Sequence, residues 1–111
     1  MKTTRSILLI CLFSGLMSCA SEESNVQIPN NVLPIVKMES FLYDLHALEA
    51  KLQISGIRQD TLSELFVVLE QELLKKHKLD TIMVNRSFRF YAKNIDLMDT
   101  MYTHLIKKAE K

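Results

Sequence analysis

Apolar residues recur at intervals of three and four along most of the chain after residue 33, a spacing that places them on one face of an α-helix. Four such stripes follow one another, and the short stretches between them contain residues that typically cap or end helices. The stripes predict one helix from Pro34 to Ser55-Gly56, one from Asp60 or Thr61 to about Lys76, one after Asp80 from about Thr81 to Ala92, and one from Asn94 or Asp96 to about Ala109.

The second predicted helix has apolar residues on more than one of its sides. Leu65 and Leu69 belong to its stripe, and Val67 and Val68 add apolar groups elsewhere. Because a helix that is apolar nearly all round is usually buried, this one is predicted to be the most buried of the four. With two glycines and no alternating apolar and polar run, no sheet is expected. The predicted fold is all-α, a compact bundle of about four helices, the last two shorter.

The N-terminus shows the pattern of a secretory signal. Lys2 and Arg5 precede only about ten apolar residues, fewer than the roughly 20 that a membrane-spanning helix needs. The stretch Leu16-Met17-Ser18-Cys19 then resembles the lipobox of bacterial lipoproteins, whose cysteine is lipidated and whose leader is cut before it. The chain is therefore predicted to comprise a signal peptide (1–18), a lipidated Cys19 with a flexible tether (19–33) and a helical domain (34–111).

Cleavage and lipidation would leave no free thiol, because Cys11 departs with the leader and Cys19 carries lipid. Cysteine catalysis, disulfides and thiolate metal sites are thereby excluded for the mature chain. Loss of Lys2 and Arg5 would reduce the 14 basic residues to 12, against 13 acidic ones. This near-neutral balance argues against nucleic acid as a partner.

Several blocks in the helical region resemble a known family. They are Lys37-Met38, Tyr43-Asp44-Leu45-His46, Glu49-Ala50, Lys76-His77, and Ser87-Phe88 with Tyr91. Together with the lipobox they resemble the small Bacteroidetes lipoproteins built on one domain of unknown function, over roughly residues 32–105. The sequence departs from that family at Lys78, where glycine is common, and at Ile95, where proline is common. The resemblance implies membrane attachment and a helical fold, and it supplies no activity.

Asp44, His46 and Glu49 form the strongest candidate polar cluster. His46 and Glu49 share a face of the first helix, whereas Asp44 lies on another side. A metal site would need a further ligand such as His77 or His104, and no metal-binding motif is present, so neither a metal nor another cofactor is expected. The favoured interpretation is structural: His46 contacts a neighbouring helix, and Asp44 pairs with a cation such as Lys37 or Lys51.

A second candidate is a basic stretch that spans the end of the second helix and most of the third. It could face an anion such as a phosphorylated lipid head, although a solvated helix face is the favoured interpretation. Phe90 lies off the stripe of its helix and is expected to be exposed, as a partner contact or a filler against the second helix. The candidate anion-facing residues are Lys75, Lys76, Lys78, Arg86 and Arg89, with Lys93 beyond them.

These observations predict a non-catalytic lipoprotein of the bacterial cell envelope. It would be an outer-membrane helical module, held by palmitate-type chains on Cys19 on the periplasmic or the surface-exposed face. Its expected partners are the membrane and another envelope protein. Two alternatives stay open: a small hydrolase or metal-dependent enzyme that uses His46 with a carboxylate, and a periplasmic holdase that binds unfolded proteins.

Overall fold

A computed structural model describes residues 26–111, and this part of the chain is helical without any strand. The all-α prediction with four helices is therefore confirmed, as are the shorter third and fourth helices. None of these helices is both long enough and apolar enough to cross a membrane. The helices are α1 (Ile35–Gln53, 19 residues), α2 (Gln59–His77, 19 residues), α3 (Thr81–Lys93, 13 residues) and α4 (Ile95–Ala109, 15 residues).

Local capping chemistry explains several of the helix ends. The Asp80 carboxylate accepts a hydrogen bond from the Met83 N–H at 2.8 Å, which confirms the predicted N-cap of α3. Gly56 has φ +70°, the left-handed conformation that ends the turn after α1 at low steric cost. The predicted cap of α2 was wrong, because α2 begins at Gln59 after Arg58. Asp60 lies instead in its first turn, 3.0 Å from the Arg58 guanidinium.

The main core lies between α1, α3, α4 and the short segment that precedes α1. Tyr91 of α3, Met38 of α1 and Met101 of α4 are fully buried at its centre. Ile28 packs against the same core from the chain before α1. The buried residues of this cluster are Val32, Leu33, Met38, Leu42, Tyr91, Met101 and Leu105.

The segment before α1, residues 28–33, is fixed to α3 by two hydrogen bonds to Leu33. The Tyr91 hydroxyl donates to the Leu33 carbonyl at 2.6 Å, and the Leu33 N–H donates to the Ser87 hydroxyl at 2.8 Å. Val32 and Leu33 fall within the range predicted as tether, yet both are buried. The last residues of that range therefore belong to the packed domain, while residues 19–25 lie outside the described part of the chain.

α2 is not the most buried helix, so that prediction was wrong. Its only buried residue is Leu74, whereas Val67 and Val68 are each 56% exposed. The physical reason is that α2 packs chiefly on α1, and one neighbouring helix covers only one side of it. α1 is the central helix instead, since it contacts both α2 and α4 and buries Met38, Phe41, Leu42 and Leu52.

Candidate functional site

The structure divides the predicted polar cluster between two interfaces of α1. Asp44 faces α2 and His46 faces α4, while Glu49 contacts His46 and also lines a groove between α1 and α2. The prediction that Asp44 and His46 occupy different sides of the helix is thus confirmed. The three side chains do not converge on one point.

Asp44 joins α1 to the end of α2. Its Oδ2 atom accepts hydrogen bonds from the Lys76 ammonium at 2.8 Å and from the His77 imidazole at 2.9 Å. The hydrogen bond from Lys76, followed by that from His77, lowers the pKa of the Asp44 carboxyl below its ordinary value. The predicted pairing of Asp44 with a cation is confirmed, but the cation is Lys76 rather than Lys37 or Lys51, because only the pairing of α1 with α2 brings Lys76 close. His77 also packs edge-on against the Phe41 ring, with ring centroids 5.7 Å apart.

His46 links a carboxylate to a phenol. Its Nδ1 atom lies 2.9 Å from a Glu49 oxygen, and its Nε2 atom lies 3.3 Å from the Tyr102 hydroxyl on α4. The predicted contact of His46 with a neighbouring helix is therefore confirmed. A carboxylate–imidazole–hydroxyl chain can in principle move a proton, but His46 and Glu49 are both more than 40% exposed to solvent.

An apolar groove of about 370 Å³ adjoins this chain of contacts, between α1 and α4. Ala47 and Ala50 supply small side chains on its α1 side, and Ile106 and Ala109 lie on its α4 side. Tyr43 lines the same groove and lies beneath the Lys108 ammonium, which is 4.1 Å from the ring centroid.

Each of the three histidines pairs with a different carboxylate. His77 contacts Asp44 and His46 contacts Glu49, while the Nδ1 atom of His104 lies 2.7 Å from Glu39. Within residues 26–111, no three His, Cys, Asp or Glu side chains lie close enough together to hold a metal ion. His77 and His104 were named as examples of the further ligand that a metal site on His46 would need, and the structure pairs them with Asp44 and Glu39 instead.

One residue of the predicted basic patch is paired with an acid, and three others line one exposed face of α3. Lys76 is held by Asp44. Arg86, Arg89 and Lys93 are exposed on the face of α3 opposite buried Ser87 and Tyr91, and Lys75 and Lys78 are exposed near the end of α2.

Phe90 is half-buried rather than exposed, which corrects the expectation for it. It packs against the main core and meets the Tyr91 ring edge-on, with centroids 5.4 Å apart. The more exposed aromatic residue of α3 is Phe88, at 43%. Phe88 lies at the edge of the buried face of α3, beside Val84 in a cleft against α1.

Sequence reasoning missed a wide groove at the free end of the α1–α2 hairpin, called here the hairpin-tip groove. Its volume is about 800 Å³. Its lining combines apolar side chains with amide, hydroxyl and carboxylate groups. The sequence feature that corresponds to this groove is the excess of apolar residues on α2, from which a buried helix was predicted. The groove is lined by Glu49, Leu52, Gln53, Ile57, Gln59, Leu62, Ser63, Phe66 and Val67.

The predicted lipidation site, Cys19, lies outside the described residues, as does the signal peptide that precedes it. The attachment of the chain to a membrane therefore stays a prediction from the sequence.

The chain belongs to the family described as "Domain of unknown function (DUF4296)", whose sequence profile matches residues 29–111. This range includes all four helices and most of the segment before α1. Neither a search of curated proteins nor a search of solved structures found a match.

Proposed function

We propose that this member of the DUF4296 family is a lipoprotein of the bacterial outer membrane whose helical domain binds another envelope protein and is not itself a catalyst. The observation that carries the proposal is the stretch Leu16-Met17-Ser18-Cys19, whose cysteine lies nine positions before Ile28, a residue that packs on the core. Several acyl chains on Cys19 would hold the protein durably, since each buried methylene contributes about 0.8 kcal/mol and one chain alone dissociates.

The hairpin-tip groove is the proposed partner-binding surface. It lies at the opposite end of α1 from residues 28–33, about 28 Å away along a helix of 19 residues. A domain held through its N-terminal segment would therefore present this groove away from the membrane.

The chemistry of the groove suits a protein segment. Phe66 and Val67 offer apolar contact, and the Val67 side chain is 56% exposed to solvent. Gln53, Gln59 and Ser63 carry hydrogen-bonding groups in the same lining, which suit a peptide backbone. A combination of apolar and hydrogen-bonding groups is typical of protein–protein interfaces.

The two alternatives have narrower support. For an enzyme, the supporting observation is the Glu49–His46–Tyr102 chain beside the α1–α4 groove. For a holdase, the exposed apolar residues are spread over all four helices, from Val36 on α1 to Ile106 on α4, and such isolated residues are ordinary on a protein surface.

The proposal is tested by crosslinking the protein in intact cells and identifying what it captures. A defined envelope protein should be recovered with the unaltered chain and lost when Ile57 and Val67 are both changed to serine. The control changes Val36 and Ile95 to serine; they are 70% and 76% exposed, against 38% for Ile57 and 56% for Val67, and lie at the starts of α1 and α4, outside the groove.

Recovery of the same protein with both double variants would contradict the groove as the binding surface. The enzyme alternative would be favoured if His46→Gln abolished the biological function of the protein while its stability and its capture of the partner stayed unchanged.

A further inference from the structure

We infer that the outer face of α3 lies against the anionic headgroups of the membrane to which the protein is anchored, as a second, electrostatic contact beside the lipid. This face, the α3 basic face, consists of Ile82, Arg86, Arg89 and Lys93. The inference rests on the proposed anchoring through Cys19, and it specifies how the anchored domain is oriented.

The α3 basic face is a continuous stripe. Its members follow one another at intervals of four, three and four residues, so they lie above one another on one side of the helix. Ser87 and Tyr91, on the opposite side, are fully buried, which fixes the stripe toward solvent.

The charge on this face is uncompensated. α3 contains no acidic residue between Thr81 and Lys93. Among the described residues, the side chains of Arg86, Arg89 and Lys93 have no ion-pair partner, in contrast to Lys76, which Asp44 holds. The nearest acids in sequence are Asp80, which is engaged as the cap of the helix, and Asp96, which lies three residues after Lys93 and makes an interaction of its own.

The path of the chain places this helix near the anchor. Residues 28–33 are bound to α3 through Ser87 and Tyr91, so the chain reaches the domain directly at α3. Eight residues lie between Cys19 and Ile28, and the nine steps from one to the other span at most about 30 Å in a fully extended chain. A lipid on Cys19 would thus keep α3 within reach of the membrane surface, and the attraction of its cations to anionic lipids would hold it there once it came within about one Debye length, roughly 8 Å.

Ile82 strengthens the assignment to a lipid surface rather than to a soluble anion. It is 71% exposed at the start of the stripe. An apolar side chain beside cations is the composition that partitions into the headgroup region, where the apolar group enters the acyl boundary and the cations stay with the phosphates.

The test uses the lipidated protein purified from membranes, after its mass has shown the lipid on Cys19, and reconstituted into vesicles. A fluorophore is attached through Ile82→Cys or, as the distant control, through Ile54→Cys at the hairpin tip, where Ile54 is 85% exposed. Because the mature chain offers no other free thiol, each label occupies one position. Vesicles contain a headgroup-attached quencher, with either 30% phosphatidylglycerol or phosphatidylcholine alone.

Quenching at position 82 should exceed that at position 54 in anionic vesicles and should fall to the level of neutral vesicles at 500 mM salt. Each cation should raise the ratio of docked to undocked protein about fivefold, so the triple change of Arg86, Arg89 and Lys93 to glutamine should lower it roughly 100-fold. The charge-matched control changes Lys51, Lys107 and Lys111 to glutamine.

Equal quenching at position 82 in neutral and anionic vesicles, or an equal loss in both triple variants, would overturn the inference while leaving the anchoring intact. An unmodified Cys19 in the purified protein would instead overturn the proposed anchoring and, with it, the orientation that depends on it.

Discussion

Two side chains on α3 hold the beginning of the domain in place. Tyr91 is fully buried and its hydroxyl donates to the Leu33 carbonyl, while Ser87 accepts from the Leu33 N–H. Both peptide groups are buried, so each would lose its partner without gaining water. Burial of Tyr91 also raises the pKa of its phenol, which keeps the hydroxyl protonated as a donor.

Replacement of Tyr91 by phenylalanine should therefore lower the free energy of unfolding by about 1–2 kcal/mol. For a domain of this size, about 1 kcal/mol corresponds to a decrease of roughly 4–8 °C in Tm, which calorimetry would detect. The control is Tyr102→Phe, whose hydroxyl lies 3.3 Å from an exposed histidine. An equal decrease in both variants would show that the Leu33 hydrogen bond has no special importance.

Asp44 makes the stability of the α1–α2 pair depend on pH. Its pKa is lowered in the folded chain from the ordinary value of 3.8, chiefly by the hydrogen bond from Lys76. The stabilisation is therefore present above the unfolded pKa and is lost as the pH falls through the folded pKa. Asp44→Asn should reduce the free energy of unfolding by about 0.5–1 kcal/mol at pH 5, and the difference from the unaltered chain should shrink toward pH 3.

Chemical denaturation at the two pH values measures this difference. Asp60→Asn is the control, because the Arg58–Asp60 pair is exposed and bridges neighbouring residues at the start of α2. A difference for Asp44→Asn that grows as the pH falls would contradict the assignment.

At the scale of the helices, the end of α2 contains a strained residue. Lys78 has φ +55°, a left-handed conformation that costs a residue with a Cβ atom about 1–2 kcal/mol. The turn is held by the Lys78 N–H bonded to the Lys75 carbonyl and the Leu79 N–H bonded to the Leu74 carbonyl. This is the position at which glycine commonly ends a helix.

Lys78→Gly should accordingly stabilise the domain by about 0.5–1 kcal/mol, measured as a higher midpoint of urea unfolding. Lys75→Gly, one turn earlier in regular helix, should destabilise it by about 1 kcal/mol. A lower midpoint for Lys78→Gly would mean that the lysine side chain stabilises the turn by more than its backbone strain costs.

The ends of the helices were predictable from the sequence where the cause is local. The Asp80 cap depends on a carboxylate and an N–H three residues apart, and Gly56 depends on its own backbone freedom. The partner of Asp44 was not predictable, because Lys76 lies 32 residues away and reaches it only after α1 and α2 pair. The exposure of Val67 and Val68 likewise depends on which helices surround α2, and a hydrophobic pattern alone does not determine that.

At the scale of the whole molecule, the two ends of α1 face different surroundings. The segment bound to α3 is near the proposed anchor and the α3 basic face, and the hairpin-tip groove lies at the far end. The sequence predicted the helical domain and its attachment point. It did not predict that the anchored segment and the groove lie at opposite ends of α1, because that arrangement follows from how residues 28–33 pack on α3.

The most direct measurement is the mass of the N-terminal peptide of the protein extracted from cell membranes. The account predicts a chain that begins at Cys19, with acyl chains on its sulfur and its new amine, and a Cys19→Ser variant that no longer fractionates with membranes. An unmodified Cys19 thiol, or a peptide that still contains residues 1–18, would contradict the membrane anchoring on which the proposed function depends.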